Sequence, residues 1–225
     1  MTGQNTSSAV MQQRAEPHDS LDDFPTPPWA TRAICEFVTG LGFDLAMSDC
    51  REPCANRGHM VKPLREVFGY VMASDVHDYG HGFPVKDYLF GPDSHWDHTD
   101  WTFINPPFRL AREFIERAQR LSRVGVSVIA RTSFSEGQTR AAEMFIPHPP
   151  SFELQFSERV VMLKGRLVRA GAIDPAAAKP GTKASTATSY SAFIWLKRDA
   201  APADTRKRWI APCRLRLERE GDYPK

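Results

Sequence analysis

The chain has 225 residues, 41% hydrophobic and 25% charged, with a formal net charge of +2. That composition supports one full-sized domain with a real core and excludes a membrane-spanning helix, which needs an apolar run of ~20 residues. Residues 1–104 hold 7 basic and 15 acidic side chains (net −8) and residues 105–225 hold 22 and 12 (net +10), so either the C-terminal half builds a polyanion-binding face or two solvated surfaces differ in sign.

Residues 1–22 are polar, without the apolar stretch of a secretory signal, and read as a flexible tail. Four cysteines without a dense framework read as reduced thiols in a cytoplasmic protein. The first organised segment begins at Phe24-Pro25-Thr26-Pro27-Pro28-Trp29, where Thr26 is placed to cap a helix that tolerates proline in its first turn. Ala33, Ile34, Phe37 and Val38 form its apolar stripe, and Gly40 and Gly42 end it. A short strand over 47–51 runs into Glu52-Pro53-Cys54-Ala55-Asn56-Arg57-Gly58, followed by a short helix with Val61, Leu64, Val67 and Phe68 inward. Tyr70 to Ser74 reads as a buried strand ending at Asp75. Residues 76–98 are loop-rich, with Val85 to Phe90 as a short helix or strand. Trp101 to Ile104 is a further strand, 109–122 a strongly amphipathic helix, Val124 to Ala130 a strand and 136–146 a helix. This alternation predicts a parallel α/β sheet.

Beyond it the pattern changes. Arg159 to Lys164 and Ser189 to Lys197 read as strands with no helix between them, predicting an antiparallel hairpin at one sheet edge. Residues 165–188, rich in Gly, Ala, Pro, Lys and Thr, read as a mobile loop. Residues 199–225 form a basic extension, docked through Trp209 and Ile210. The predicted organisation is a tail (1–22), one domain (23–198) and this extension.

Asn105-Pro106-Pro107-Phe108 directly follows an apolar strand, where ligands bind in open α/β sheets. Two prolines stiffen the backbone, remove two N–H donors and leave carbonyls as acceptors. Asn105 adds an acceptor oxygen and Phe108 a ring face. Such a set fits the exocyclic amine of a planar base, whose nitrogen becomes nucleophilic when its N–H groups are held by acceptors. Taken alone, the tetrapeptide is equally a strand-ending turn. The turn from Glu52 to Gly58, between strand and helix, is a nucleotide-binding arrangement, although it is not GxGxxG. Asp75 at a strand end suits a ribose, and Asp87 with Tyr88 suits an adenine amine and ring; each is otherwise an ordinary turn residue.

Thr-Pro-Pro-Trp, Glu-Pro-Cys-Ala-Asn-Arg-Gly, Ala-Ser-Asp, Lys-Asp-Tyr-Leu and Asn-Pro-Pro-Phe occur in that order, and over about residues 24–164 the chain resembles small, phage-type, adenine-specific amino methyltransferases of DNA, with a gamma-like motif order. The resemblance implies a class I, Rossmann-like fold: a mostly parallel seven-stranded sheet with an antiparallel edge hairpin and helices on both faces. It implies S-adenosyl-L-methionine as cofactor and N6 of adenine in DNA as acceptor. By it, Glu52, Ala55 and Gly58, with Pro53 and Cys54 in the same turn, line the methionine part. Asp75, with Val76 beside it, holds the ribose, Asp87 the adenine amine, and Tyr88 stacks. Thr26 and Trp29 flank the cofactor, and Asn105, Pro106, Pro107 and Phe108 are catalytic, Phe108 against an extruded base. Two departures stand out. Ala55-Asn56-Arg57 replaces a glycine-richer stretch, and no large target-recognition domain is present; the Arg131 to Phe134 loop, residues 165–188 and the basic tail are the candidates for that role.

Other readings remain at this level. The same motif suits cytosine N4, RNA bases or a protein glutamine amide, and a non-catalytic nucleic-acid-binding module is a further alternative. Cys50/Cys54, His77/His81 and His95/His98 have spacings seen in zinc sites, but the histidines sit among Asp and Gly and read as solvated, so no metal is expected.

Overall fold

Seven strands order themselves as β2-β1-β3-β4-β6-β5-β7 in a computed structural model that describes residues 21–197 and 200–224. The predicted tail lies outside those residues except for its last two positions. The strands are β1 (Asp49–Glu52), β2 (Tyr70–Ala73), β3 (Thr99–Ile104), β4 (Ser122–Arg131), β5 (Phe152–Phe156), β6 (Tyr190–Leu196) and β7 (Arg206–Ile210). β1, β2, β3 and β4 pair in parallel, as do β5 and β7; β6 runs antiparallel to both β4 and β5. The mostly parallel, seven-stranded Rossmann-like architecture expected from the sequence is therefore the one observed.

The strand period of two sends alternate side chains into two cores. Trp101 and Phe103 of β3 pack with helix α1 (Pro28–Gly40) and helix α2 (Val61–Arg65). Ile104 and, from β4, Val126, Val128 and Ala130 pack with helix α3 (Ala111–Leu121). Gly125 of β4 makes room for the first core, because a Cβ there would lie 2.5 Å from the Trp101 ring. α1 buries Trp29, Ala33, Ile34 and Val38, and α3 buries Phe114, Ile115, Ala118 and Leu121, so both stripes read from the sequence face inward. Arg32, also buried, makes hydrogen-bonded ion pairs with Glu66 and Asp222, fastening the C-terminal residues to α1.

Several local expectations are corrected. Pro27, not Thr26, precedes α1, with no side-chain cap among the described residues; the Thr26 hydroxyl is buried without a partner among them. β2 is an edge strand with Tyr70 63% exposed, rather than an interior one. Val85 to Phe90 forms only a bridge from Val85 to Asp75, then turns. The segment 136–146 is a short turn, Gln138–Arg140, running into a π-helical turn, Ala141–Phe145. The hairpin partner of β6 is Phe152–Phe156, not Arg159–Lys164. Phe152, Leu154 and Phe156 alternate inward with Glu153 and Gln155 between them, the half-buried strand pattern that the sequence reading passed over. Nor is the hairpin at the edge, because β7 adds a strand beyond it. That strand docks through Ile210, while Trp209 stays 68% exposed.

Candidate functional site

β1, β2 and β3 end side by side, and the turns after them enclose a cleft of about 680 Å³, counting its open mouth. This follows from parallel strands: their carboxyl ends share one rim, and their turns meet there. The turn after β1 is made by two residues of positive φ, Asn56 (+50°) and Gly58 (+83°), conformations open to Asn and Gly at low cost. A Cβ on Gly58 would stand 3.0 Å from the Phe83 ring. Its lack of a side chain thus serves packing on Phe83 and entry to α2, and Gly58 is not on the cleft wall.

Two carboxylates serve this turn differently. Asp75, 8% exposed, accepts the Asn56 N–H through Oδ2 (2.8 Å) and the His77 N–H through Oδ1 (3.0 Å). Burial pushes its carboxyl above the ordinary range, against the pull of those N–H groups. Glu52 is wholly buried; Oε1 accepts the Cys54 N–H at 2.8 Å, while Oε2 has no partner among the described residues. Burial drives this carboxyl well above the usual range.

At the other end, the Asn105 Nδ2 donates to the Phe24 carbonyl at 2.8 Å. That bond fixes the orientation of the amide, and Oδ1 accepts no hydrogen bond from the described residues. The Pro107 carbonyl takes the Leu110 N–H ahead of α3. The Phe108 N–H donates to Asp22, its ring lies 5.7 Å from that of Phe24, and the Arg131 guanidinium sits 4.3 Å over it. Residues 22–24 therefore bridge the two ends: Asp22 and Phe24 hold the Asn105–Phe108 segment, and Asp23 accepts from Asn56 Nδ2 (2.7 Å) and Arg57 (2.9 Å). Sequence reasoning missed Asp22 and Asp23; an acidic pair directly before Phe24-Pro25 was the available signal. Arg57 is drawn to Asp23 and lies over the Tyr79 ring at 4.9 Å, so it packs beside the cleft.

Of the residues singled out from sequence, Thr26, Pro53, Cys54, Ala55, Asp75, Val76, Tyr88, Asn105 and Pro107 come together on the cleft wall. Trp29 lies in the core against Phe156, and Pro106 is buried just behind the wall. Asp87 is exposed and accepts the Leu89 N–H of its own turn, away from the cleft. Tyr88 is 1% exposed, packed against Trp96 and Phe114. His59, Met60 and Tyr79 also line the cleft and were not foreseen. Burial, helped by Arg57, takes His59 down to about 4, and burial takes Tyr79 and Tyr88 up to about 12. Among the described residues no three His, Cys, Asp or Glu side chains gather as a metal site.

No family model matches the chain, and no curated protein matches it in sequence. Solved structures match its fold. It is similar to a putative class I S-adenosylmethionine-dependent methyltransferase from Listeria monocytogenes (TM-score 0.58, 11% identity, 85% of this chain and 67% of that one). It is also similar to the M protein of the type I restriction enzyme EcoKI (0.56, 9%, 86% and 50%) and to a putative RNA methyltransferase from Pyrococcus horikoshii (0.54, 15%, 83% and 93%). At these identities the likeness establishes the fold.

Proposed function

We propose that the protein transfers a methyl group from S-adenosyl-L-methionine to the N6 amine of adenine in DNA. The observation that carries this reading is Asn105: its amide is anchored through nitrogen to the Phe24 carbonyl, which leaves an acceptor oxygen at the cleft directly after β3. The cofactor fits the residues present. Two buried polar atoms, Thr26 Oγ1 on the cleft wall and Glu52 Oε2 behind it, lack partners among the described residues, and such atoms call for a polar ligand. Glu52 suits an ammonium group, Asp75 suits ribose hydroxyls, and Tyr88 with Phe114 supplies apolar wall. The two methyltransferases and the restriction-enzyme M protein of like fold point the same way.

When bound, S-adenosylmethionine supplies an electrophilic methyl group. The residues of the chain hold and orient the acceptor. Asn105 Oδ1 accepts one N–H of the exocyclic amine, and the Pro106 carbonyl, which no backbone N–H of the described residues takes, accepts the other. Held so, the nitrogen lone pair would be localised and aimed at the methyl; as the N–C bond formed, the methyl–sulfur bond would break to leave the thioether S-adenosylhomocysteine, and the surplus amine proton would pass to water. Phe108 gives the base a ring face.

The test is incubation with labelled cofactor and mixed-sequence DNA, using wild type and Asn105→Ala. Label in N6-methyladenine, lost in the variant while cofactor binding persists, is the expected result. Label in cytosine N4, RNA or a protein glutamine instead overturns the acceptor, and cofactor binding without transfer to any of them overturns the reaction.

A further inference from the structure

We infer that the outer edge strand β7 is a docking platform for the nucleic-acid strand that carries the target base. The inference rests on the proposed nucleic-acid substrate and adds where the rest of that substrate lies. Arg206, Lys207, Arg208 and Trp209 are all exposed, in a strand paired on one side only. Elsewhere in the C-terminal segment arginines are spent on carboxylates: Arg214 on Glu218, Arg216 on Glu36, Arg219 on Glu66. Lys207 is paired with Glu153, but Arg206 and Arg208 make no ion pair among the described residues. Cations on an edge strand discourage edge-to-edge pairing, and that alone accounts for charge. It does not account for Trp209, a 68% exposed indole with Lys207 6.0 Å from its ring centre. By the strand period of two, Lys207 and Trp209 share one face of this edge and the unpaired Arg206 and Arg208 the other; an exposed aromatic on a cationic edge is what a strand of stacked bases and phosphates recognises.

Position agrees. β7 runs parallel to β5, which is antiparallel to β6, which is antiparallel to β4; β7 therefore points the same way as β3. Trp209, near its carboxyl end, shares the rim on which Asn105 stands. Two arginines lie between them. Arg131 ends β4, and Arg159, just past β5, is exposed and bonded to Ser189 and the Ala187 carbonyl. Four strand spacings separate β3 from β7, roughly 19 Å, or about six nucleotides at ~3.4 Å each. A strand that places its base at Asn105 and crosses this rim reaches β7 about six nucleotides away.

The test is fluorescence-anisotropy titration of the full chain with oligonucleotides, DNA and RNA, of about 6 and about 16 nucleotides. Wild type is compared with Trp209→Ala, Trp209→Phe and the double variant Arg206→Gln/Arg208→Gln, all at exposed positions, with thermal midpoints as folding controls. Trp209→Ala is expected to weaken the long strand about tenfold and the short one little, with Trp209→Phe recovering most of the loss. The double variant is expected to lower the salt slope on a single strand by about 1.4. Whichever of DNA or RNA shows the length-dependent loss is the strand that β7 holds. Unchanged affinity and slope, or equal loss on short and long strands, overturns the platform. Binding is read without methyl transfer, so a protein that shows the loss but no turnover keeps the platform and drops the reaction, and the converse result drops the platform alone.

Discussion

At the Glu52–Asp75 end of the cleft, two carboxylates are held out of water, Asp75 on the wall and Glu52 buried behind it; at the Asn105–Phe108 end the acceptor turned to the cleft is a neutral amide, and the charges beside it are engaged, Asp22 by the Phe108 N–H and Arg131 over the Phe108 ring. The first arrangement costs stability unless a ligand with positive charge or hydroxyls completes it. The second costs little, since an amide oxygen and a rigid proline backbone need only be fixed in direction. Under the proposed function the difference separates two tasks: the acidic end would retain the cofactor, and the neutral end would aim an amine that carries no charge. Residues 22–24 touch both ends, through Asp23 at one and Asp22 and Phe24 at the other.

The largest expected effect separates the two ends outright. Asn105→Ala should lower turnover by about 100-fold or more, with cofactor affinity, measured by calorimetry, changed less than about twofold. Parallel loss of both would show that the ends are not separate. Asp75→Ala should do the reverse and more besides. Its carboxylate holds the Asn56 and His77 N–H groups, so the turn loosens, and cofactor affinity should fall about tenfold or more with turnover at saturation far less affected. Unchanged affinity would remove Asp75 from the cofactor site.

Much of this was legible in the sequence because the information was local. Strand, turn and helix periods gave β1, β3, β4, β6, α1 and α3. The tetrapeptide after β3 and the acidic residues after β1 and β2 were visible as residues at strand ends. What was not legible was tertiary. Nothing near Asp87 shows that it turns away, or that Tyr88 is swallowed by Trp96 and Phe114. The strand at Phe152–Phe156 was displaced in the reading by the more β-branched Arg159–Lys164, which forms only the single bridge from Leu163 to Arg166 among the described residues. β7 read as a docked tail because four of its five side chains are exposed and its apolar period is a single Ile210; its backbone pairing to β5, not its side chains, makes it a strand.

A subtler effect falls on Glu52. Burial holds its folded carboxyl well above the ordinary range, so folding raises its proton affinity over that of the unfolded chain, whose value is about 4.3. Its contribution to stability is then greatest below that value and declines as pH rises from it toward the folded value. Glu52→Gln keeps an oxygen for the Cys54 N–H and removes the titration. It should raise unliganded stability at pH 7 by about 1–3 kcal/mol, read as a higher thermal midpoint with a flatter pH dependence, while weakening cofactor binding about tenfold. A variant that binds the cofactor as well as wild type would break the assignment of an ammonium group to Glu52.

The smallest expected effect is the absence of one. If the chemistry works by aiming acceptors, no group on the cleft wall should titrate between the acidic limb and the phenols. His59 is held down to about 4 and Tyr79 and Tyr88 up to about 12, so none changes charge near neutrality. Turnover at saturating cofactor and substrate should therefore be level from about pH 6 to pH 9, less than threefold in variation, in contrast to the bell expected of a general acid and base. The acidic end should appear only in cofactor affinity, which falls toward low pH as Asp75 and Glu52 take up protons, beginning above the ordinary carboxylate range because burial raises both. A bell-shaped turnover centred near neutral pH would show that a titrating group acts in the chemical step, and the division between a charged binding end and a neutral aiming end would have to be given up.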